Sequence, residues 1–189
     1  VVSGERSGRD WSRTSELWTA PLTIGVISDT HIYPEPHGQR LPQIVIDELT
    51  KASVGLILHA GDIFAPAVLD QLSAIAPVLA VTGNGDNAEM RRALPRSRVV
   101  IVGDQHIGLV HGHEGPGRNT PERAQRAFAE NPYVRCVVFG HSHQPLSRLQ
   151  DEVILFNPGS PTDKRRAPYY SFGILRVGAT IEPELVYFL

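Results

Sequence analysis

A chain of 189 residues, 41% hydrophobic and 20% charged, has globular composition and is long enough to bury one sizeable core. Its formal net charge of −2 supplies no basic field, which argues against wholesale binding to nucleic acid or to an anionic membrane surface. The one cysteine, Cys136, excludes an intrachain disulfide and fits a reducing compartment, so a cytoplasmic location is expected.

Residues 1–21 are polar and rich in Ser, Arg and Gly, without the apolar core of a signal peptide. Glu5, Asp10 and Glu16 argue against a transit peptide. This stretch is expected to be a flexible N-terminal tail, with Trp11 or Trp18 packing back on a single domain over 22–189. No run is long and apolar enough to span a membrane.

"LTIGVIS" at 22–28 is a short β-branched apolar run and predicts a buried strand. A loop broken by Pro34, Pro36 and Gly38 follows. From Leu41, apolar residues at Ile44, Val45 and Leu49 have helical spacing. "VGLILHAGD" predicts a second strand, "PAVLDQLSAI" a second helix with Pro66 in its first turn, and "PVLAVTGNGD" a third strand. "AEMRRALP" is a short helix stopped by Pro95. "SRVVIVG" and "QHIGLVHG" flank a Gly103–Asp104 turn and predict a hairpin. "TPERAQRAFAEN" predicts a long helix with Thr120 as N-cap and Pro121 behind it. "VRCVVFG" is again a strand, with Cys136 as a buried, inert thiol, and only strands follow. The alternation of strand and helix implies parallel sheets with right-handed crossovers. The expected fold is α/β, a four-layer α-β-β-α sandwich of two mixed sheets flanked by helices.

Strand after strand ends in the same kind of residue: Asp29-Thr30-His31, Gly61-Asp62, Gly83-Asn84-Gly85-Asp86, His111-Gly112-His113 and Gly140-His141-Ser142-His143. Carboxyl ends of strands share one rim in such a topology, which is where open α/β sheets bind ligands. Carboxylates, imidazoles and an amide oxygen suit Mn, Fe, Ni, Co or Zn, whereas Mg or Ca alone would be held by oxygen. Asp29, His31, Asp62, Asn84, His111, His141 and His143 are too many ligands for one tetrahedral ion and about right for two ions sharing a carboxylate. Two divalent ions, the Asp29 and Asp62 carboxylates and a bridging hydroxide sum to a formal charge of roughly +1, a match for a phosphodiester monoanion.

These motifs, D-x-H, GD, GN-x-D, H-x-H and GH-x-H in that order, together with "FNPGS" at 156–160, resemble the calcineurin-like metallophosphoesterase superfamily in its small single-domain, prokaryotic-type phosphodiesterase branch. The resemblance covers about residues 22–189. It implies one metal on Asp29, His31, Asp62 and His143 and another on Asp62, Asn84, His111 and His141, with Asp62 bridging. Manganese is the first expectation, and a metal-bridging hydroxide is the implied nucleophile. Many relatives carry a histidine after the GN of the third motif, similar to a proton donor for the leaving group. Here that position is Gly85, which points to phosphodiesters with good leaving groups.

Other polar residues are read more plainly. His113 is divided between a catalytic contact to substrate and a solvent-exposed position, and is retained beside Asp62 and Asn84 as a catalytic candidate. His59 is expected behind the ligands, His37 in a solvated loop, and His106 as an ordinary strand residue. Asp86 is expected to orient the Asn84 loop, while Arg165 or Arg166 offers a reach toward phosphate. The reading is a dinuclear-metal hydrolase of a small phosphate ester, most plausibly a diester. A phosphomonoesterase is one alternative. A non-catalytic interaction scaffold, like the related subunit of the eukaryotic retromer complex, is another. Nucleic acid and membrane are not expected partners, and a homo-oligomer is compatible with the chain.

Overall fold

The computed structural model describes residues 15–33 and 40–189. Their apolar runs form strands β1 (Ser15–Trp18), β2 (Leu22–Ile27), β3 (Leu56–His59), β4 (Val78–Ala80), β5 (Ser97–Val102), β6 (Gln105–Val110), β7 (Val134–Val138), β8 (Leu146–Gln150), β9 (Val153–Asn157), β10 (Tyr170–Val177) and β11 (Ile181–Phe188). The helices are α1 (Gln43–Lys51), α2 (Pro66–Ser73), α3 (Ala88–Ala93) and α4 (Thr120–Arg126). One sheet has the order β11-β10-β2-β3-β4 and the other β1-β5-β6-β7-β9-β8. Strands β2, β3 and β4 are mutually parallel, as are β6, β7 and β9, while β10, β11, β5 and β8 make each sheet mixed.

The period of two along each strand sorts side chains into layers. Ile24, Val26, Leu56 and Leu58 of the first sheet meet Ile107, Leu109, Cys136, Val138 and Phe156 of the second in a core between the sheets. The outer face of the first sheet, with Ile27, Ile57 and Phe172, packs on Val45 and Leu49 of α1, Val68, Leu69 and Leu72 of α2, and Met90 of α3. The outer face of the second, with Val137 and Leu155, is covered by Ala124 of α4 and by Phe128. The expected four-layer sandwich is therefore present, with a thin helical layer on the second sheet.

Some boundaries differ from expectation. Ser15–Trp18, assigned to the tail, pair in parallel with Val99–Val102 as an edge strand, and partly buried Trp18 packs against the inter-sheet core. The remainder of the expected tail up to residue 14, Trp11 included, lies outside the described residues, as does His37. Helix α4 is shorter than its sequence pattern. Its N-cap is Asn119, whose side chain accepts from Glu122 N at 3.0 Å, one residue ahead of the expected Thr120. The hairpin at Gly103–Asp104 forms as read, with Val102 opposite Gln105.

Cys136 is fully buried, and burial pushes its thiol up to about 12. Iodoacetamide at neutral pH should leave it unmodified in the native protein and alkylate it once guanidinium unfolds the chain, read as one mass increment. Rapid native labelling would contradict the inert assignment.

Candidate metal centre

The parallel strands deliver their carboxyl ends to one rim, and both sheets contribute there. Asp29 and His31 follow β2, Asp62 follows β3, and Asn84 follows β4. His111 follows β6, and His141 and His143 follow β7. Backbone hydrogen bonds stitch these loops together: Asp29 N donates to Gly61 O at 3.0 Å, His31 N to Asp62 O at 3.1 Å, and Gly140 N to His111 O at 3.2 Å.

The local backbone is unusual for the residues it carries. Asp29, His31, Asp62, His141 and His143 all have positive φ, between 45° and 67°. Such angles are uncommon outside glycine and concentrate where surrounding structure imposes them. Gly140 answers a different need, because a Cβ there would collide with Ser28 Oγ.

Asp62 lies between two imidazoles. Its Oδ2 is 3.2 Å from His31 Nε2, and its Oδ1 is 3.4 Å from His111 Nε2. Asn84 Oδ1 is 3.2 Å from the same His111 nitrogen. Asp29 Oδ1 is 3.4 Å from His143 Nε2 and 4.0 Å from His31 Nε2. Among the described residues, two groups have ligand atoms mutually within 4.8 Å: Asp29, His31 and His143, and Asp29, Asp62 and His111. His141 joins neither group. Its ring sits 5.2 Å from that of His111, and its backbone N–H donates to both oxygens of Asp29 at 3.1 and 3.0 Å. His113 is also adjacent, 5.2 Å from the His111 ring, with Nε2 3.3 Å from Glu114 Oε1.

The hydrogen bonds test whether these residues suit a cation. His143 Nδ1–H donates to the Asp163 carbonyl, and His111 Nδ1–H donates to the Ala60 carbonyl at 2.7 Å. In the neutral imidazoles this turns the Nε2 lone pairs toward carboxylate and amide oxygens. Nε2 of His31 and of His143 is buried without a hydrogen-bond partner among the described residues. Acceptors facing acceptors require a positive charge between them, so the donor set fits metal ions.

The acid–base balance has the same origin. Burial raises Asp29 above its ordinary carboxylate value, against the lowering influence of His111 and His143. For Asp62 burial acts upward too, but the close approach of His111 and His31 and the hydrogen bond from Gly85 N outweigh it and hold the carboxyl well below the usual range. Burial works against a charged His111, but its contact with Asp62 raises it overall. Burial and neighbouring His111 lower His141 to about 4 and also lower His113, so both are neutral near pH 7.

Several supporting residues carry no motif of their own. Asp86 accepts from four backbone N–H groups: Asp62 at 3.2 Å, Ile63 at 2.7 Å, Phe64 at 2.9 Å and Gly83 at 2.8 Å. It thus holds the Asp62 loop as well as the expected Asn84 loop. Asn157 donates to Gly140 O at 2.9 Å and Ser142 Oγ at 3.0 Å, fixing the bend that carries both histidines. Ser160 Oγ donates to Asp29 O at 2.7 Å. Asp163 Oδ2 lies 3.7 Å from His31 Nδ1 and 3.6 Å from His143 Nδ1. His59 is fully buried behind the loops, accepts from Gly61 N at 3.2 Å and meets Thr30 Oγ1 at 3.2 Å. Arg165 pairs with Asp163 at 3.5 Å.

Gly85 donates its N–H to Asp62 Oδ1 at 2.7 Å. A Cβ on it would lie 2.5 Å from Phe64 Cε1 and 2.8 Å from Phe64 Cζ. The Phe64 ring, stacked on His31 at 4.6 Å, occupies the room a side chain at 85 would need.

Comparison with known proteins shows the family. The model of the calcineurin-like phosphoesterase superfamily domain matches residues 22–180. A probable metallophosphoesterase of Methanothermobacter thermautotrophicus is 37% identical over 166 residues, covering 87% of this chain and 92% of that one. The Escherichia coli phosphodiesterase YfcE is 32% identical over 119 residues, covering 59% of this chain and 60% of its own. Among solved structures, wild-type Vps29 of Entamoeba histolytica complexed with Zn2+ superposes with a TM-score of 0.68 at 22% identity, covering 89% of this chain and all of that one, a likeness of fold. With the family model spanning most of its length, the chain belongs to the calcineurin-like phosphoesterase superfamily.

Proposed function

We propose that the chain is a dinuclear-metal-dependent phosphodiesterase. The observation that carries this reading is the buried Nε2 atoms of His31 and His143, without a hydrogen-bond partner among the described residues, facing the Asp62 and Asp29 carboxylates at the rim between the sheets. Asp29, His31, Asp62 and His143 would hold one divalent ion, and Asp62, Asn84, His111 and His141 the other, manganese being the first candidate among Mn, Fe, Ni, Co and Zn. When bound, the ions supply positive charge that activates water and neutralises the phosphate oxygens.

The protein's own part is positional. Asp62 presents one oxygen to each imidazole set, and Gly85 N and Asp86 fix its carboxylate and its loop. Asp163 and Ala60 fix the tautomers of His143 and His111 through their carbonyls. Neutral His113, beside His111 and His141, can offer an N–H to a substrate oxygen without giving up a proton. The full set of metal-capable side chains supports a hydrolase over a non-catalytic scaffold of the same fold.

No imidazole can stand at position 85 while Phe64 covers it, so departure of the leaving group receives no acid from that side. The reading is tested on metal-stripped protein reloaded separately with Mn, Fe, Ni, Co or Zn. Hydrolysis of bis(p-nitrophenyl) phosphate should return with metal and exceed that of p-nitrophenyl phosphate. Across aryl diesters, rate should fall steeply as leaving-group pKa rises. Gly85→His should flatten that dependence only when combined with Phe64→Ala. Metal-independent turnover, or equal rates on all leaving groups, would overturn the reading.

A further inference from the structure

A cavity of about 590 Å³ opens beside the metal centre, sharing His31 and Asp163 with it. Its other walls include Tyr33, Tyr170, Phe188 and Arg40. The volume is that of a small-molecule site. Tyr33 is 54% exposed, and its ring stands edge-on to Phe64 at 5.1 Å. Tyr170 and Phe188 stack on each other at 5.7 Å with their planes 26° apart, which fixes both rings in the cavity wall. Outside the lining, Lys164 Nζ stands 5.6 Å from the Tyr170 ring centre and donates to Pro168 O at 2.9 Å, while Arg40 in the cavity wall is exposed. The space next to the phosphate position is therefore bounded by the aromatic rings of Tyr33, Tyr170 and Phe188 and by the Arg40 cation. A methyl or other small alkyl ester would leave it filled with water, whereas a flat ring would bury against it.

We propose that this cavity receives a planar aromatic group esterified to the phosphate at the metal centre, so that the substrate class is an aromatic-bearing phosphodiester monoanion. The inference rests on the phosphoesterase reading for the position of the phosphate. Stacking of a flat ring on aromatic side chains is worth about 1–3 kcal/mol per ring, hence roughly tenfold or more in affinity.

The test reads binding without turnover. Protein loaded with Mn2+ is titrated with dimethyl phosphate, methyl phenyl phosphate and uridine 5′-(methyl phosphate), followed by paramagnetic broadening of the 31P line. One or both aromatic esters should bind about tenfold more tightly than dimethyl phosphate. The tighter of the two shows whether the ring is attached directly or through a sugar. Tyr33→Ala and Tyr170→Leu should reduce that preference to less than about threefold while leaving dimethyl phosphate affinity unchanged. Unchanged melting temperatures exclude a folding defect, and Tyr33, being exposed, is the safer variant. Equal affinity for all three esters, or a preference that survives both substitutions, would overturn the proposal. Aromatic preference in a protein that hydrolyses none of the esters would uphold the cavity assignment and remove the hydrolase reading.

Discussion

Asp62→Asn is expected to lower diester hydrolysis by well over the ~10–100-fold typical of losing an outer partner, and to release metal from both positions. Among the described residues, this carboxylate is the one group whose two oxygens face separate imidazoles, His31 at 3.2 Å and His111 at 3.4 Å. An amide of the same shape keeps one acceptor and turns an NH2 group toward the other imidazole, so one side of the pair loses its negative neighbour. Asn also lacks the charge that, with Asp29, balances the cations. Because the substitution is isosteric and the oxygen that accepts from Gly85 N can be retained, the fold should persist. Metal content after desalting, together with kcat/KM on bis(p-nitrophenyl) phosphate, checks this. Two retained ions and parental turnover would remove Asp62 from its bridging role.

The largest stability effect should come from Asp86→Ala. Gly61, Asp62 and Phe64 have φ of 94°, 56° and 74°, and the two that are not glycine are held in a region that costs about 1–2 kcal/mol each. The Asp86 carboxylate offsets this by collecting the N–H groups of Asp62, Ile63, Phe64 and Gly83 in a buried nest. Alanine would leave several of those donors without a partner, at about 1–3 kcal/mol for each that water cannot reach. A loss of at least ~3 kcal/mol corresponds to a fall of about 10 °C in melting temperature for a chain of this size. Asp86→Asn, which keeps one acceptor oxygen, should fall between. Thermal unfolding followed by circular dichroism measures both, and a melting temperature for the alanine variant within about 2 °C of the parent would contradict the account.

Much of this was readable from residue types alone. Buried strands such as Leu56–His59 are short runs without alternation, and the glycines and polar residues that follow them mark where each strand stops. Convergence of Asp29, Asp62, Asn84 and the histidines followed from parallel topology. Edge strand Ser15–Trp18 was missed because four residues, two of them polar, carry no period, and a neighbouring strand makes them β. Asn119 lost the N-cap to Thr120 in the sequence reading because both are good caps and adjacent, and only side-chain geometry separates them. Asp163 acts partly through its backbone carbonyl, which no side-chain pattern announces. Asp86 was readable as the residue that orients the Asn84 loop, but not as the anchor of a loop more than twenty residues earlier. Phe64 belongs to no motif, and its place over Gly85 is set by packing alone.

The hydrogen bonds that close the site also set an order in time. Asp29 waits for the His141 amide, its carbonyl for the Ser160 hydroxyl, and the Thr30 carbonyl for the Thr162 hydroxyl, partners 112, 131 and 132 residues downstream. On a ribosome, β2, β3 and β4 can pair with one another as they emerge, while the other edge of β2 waits for β10, about 150 residues later. Their rim then stands open, its carboxylates and left-handed loops unsupported, until the second sheet has been made and laid against the first. Competence therefore arrives only once residue 162 has been made, and a nascent chain halted before residue 160 would have every strand of the second sheet, only β2, β3 and β4 of the first, and no finished site.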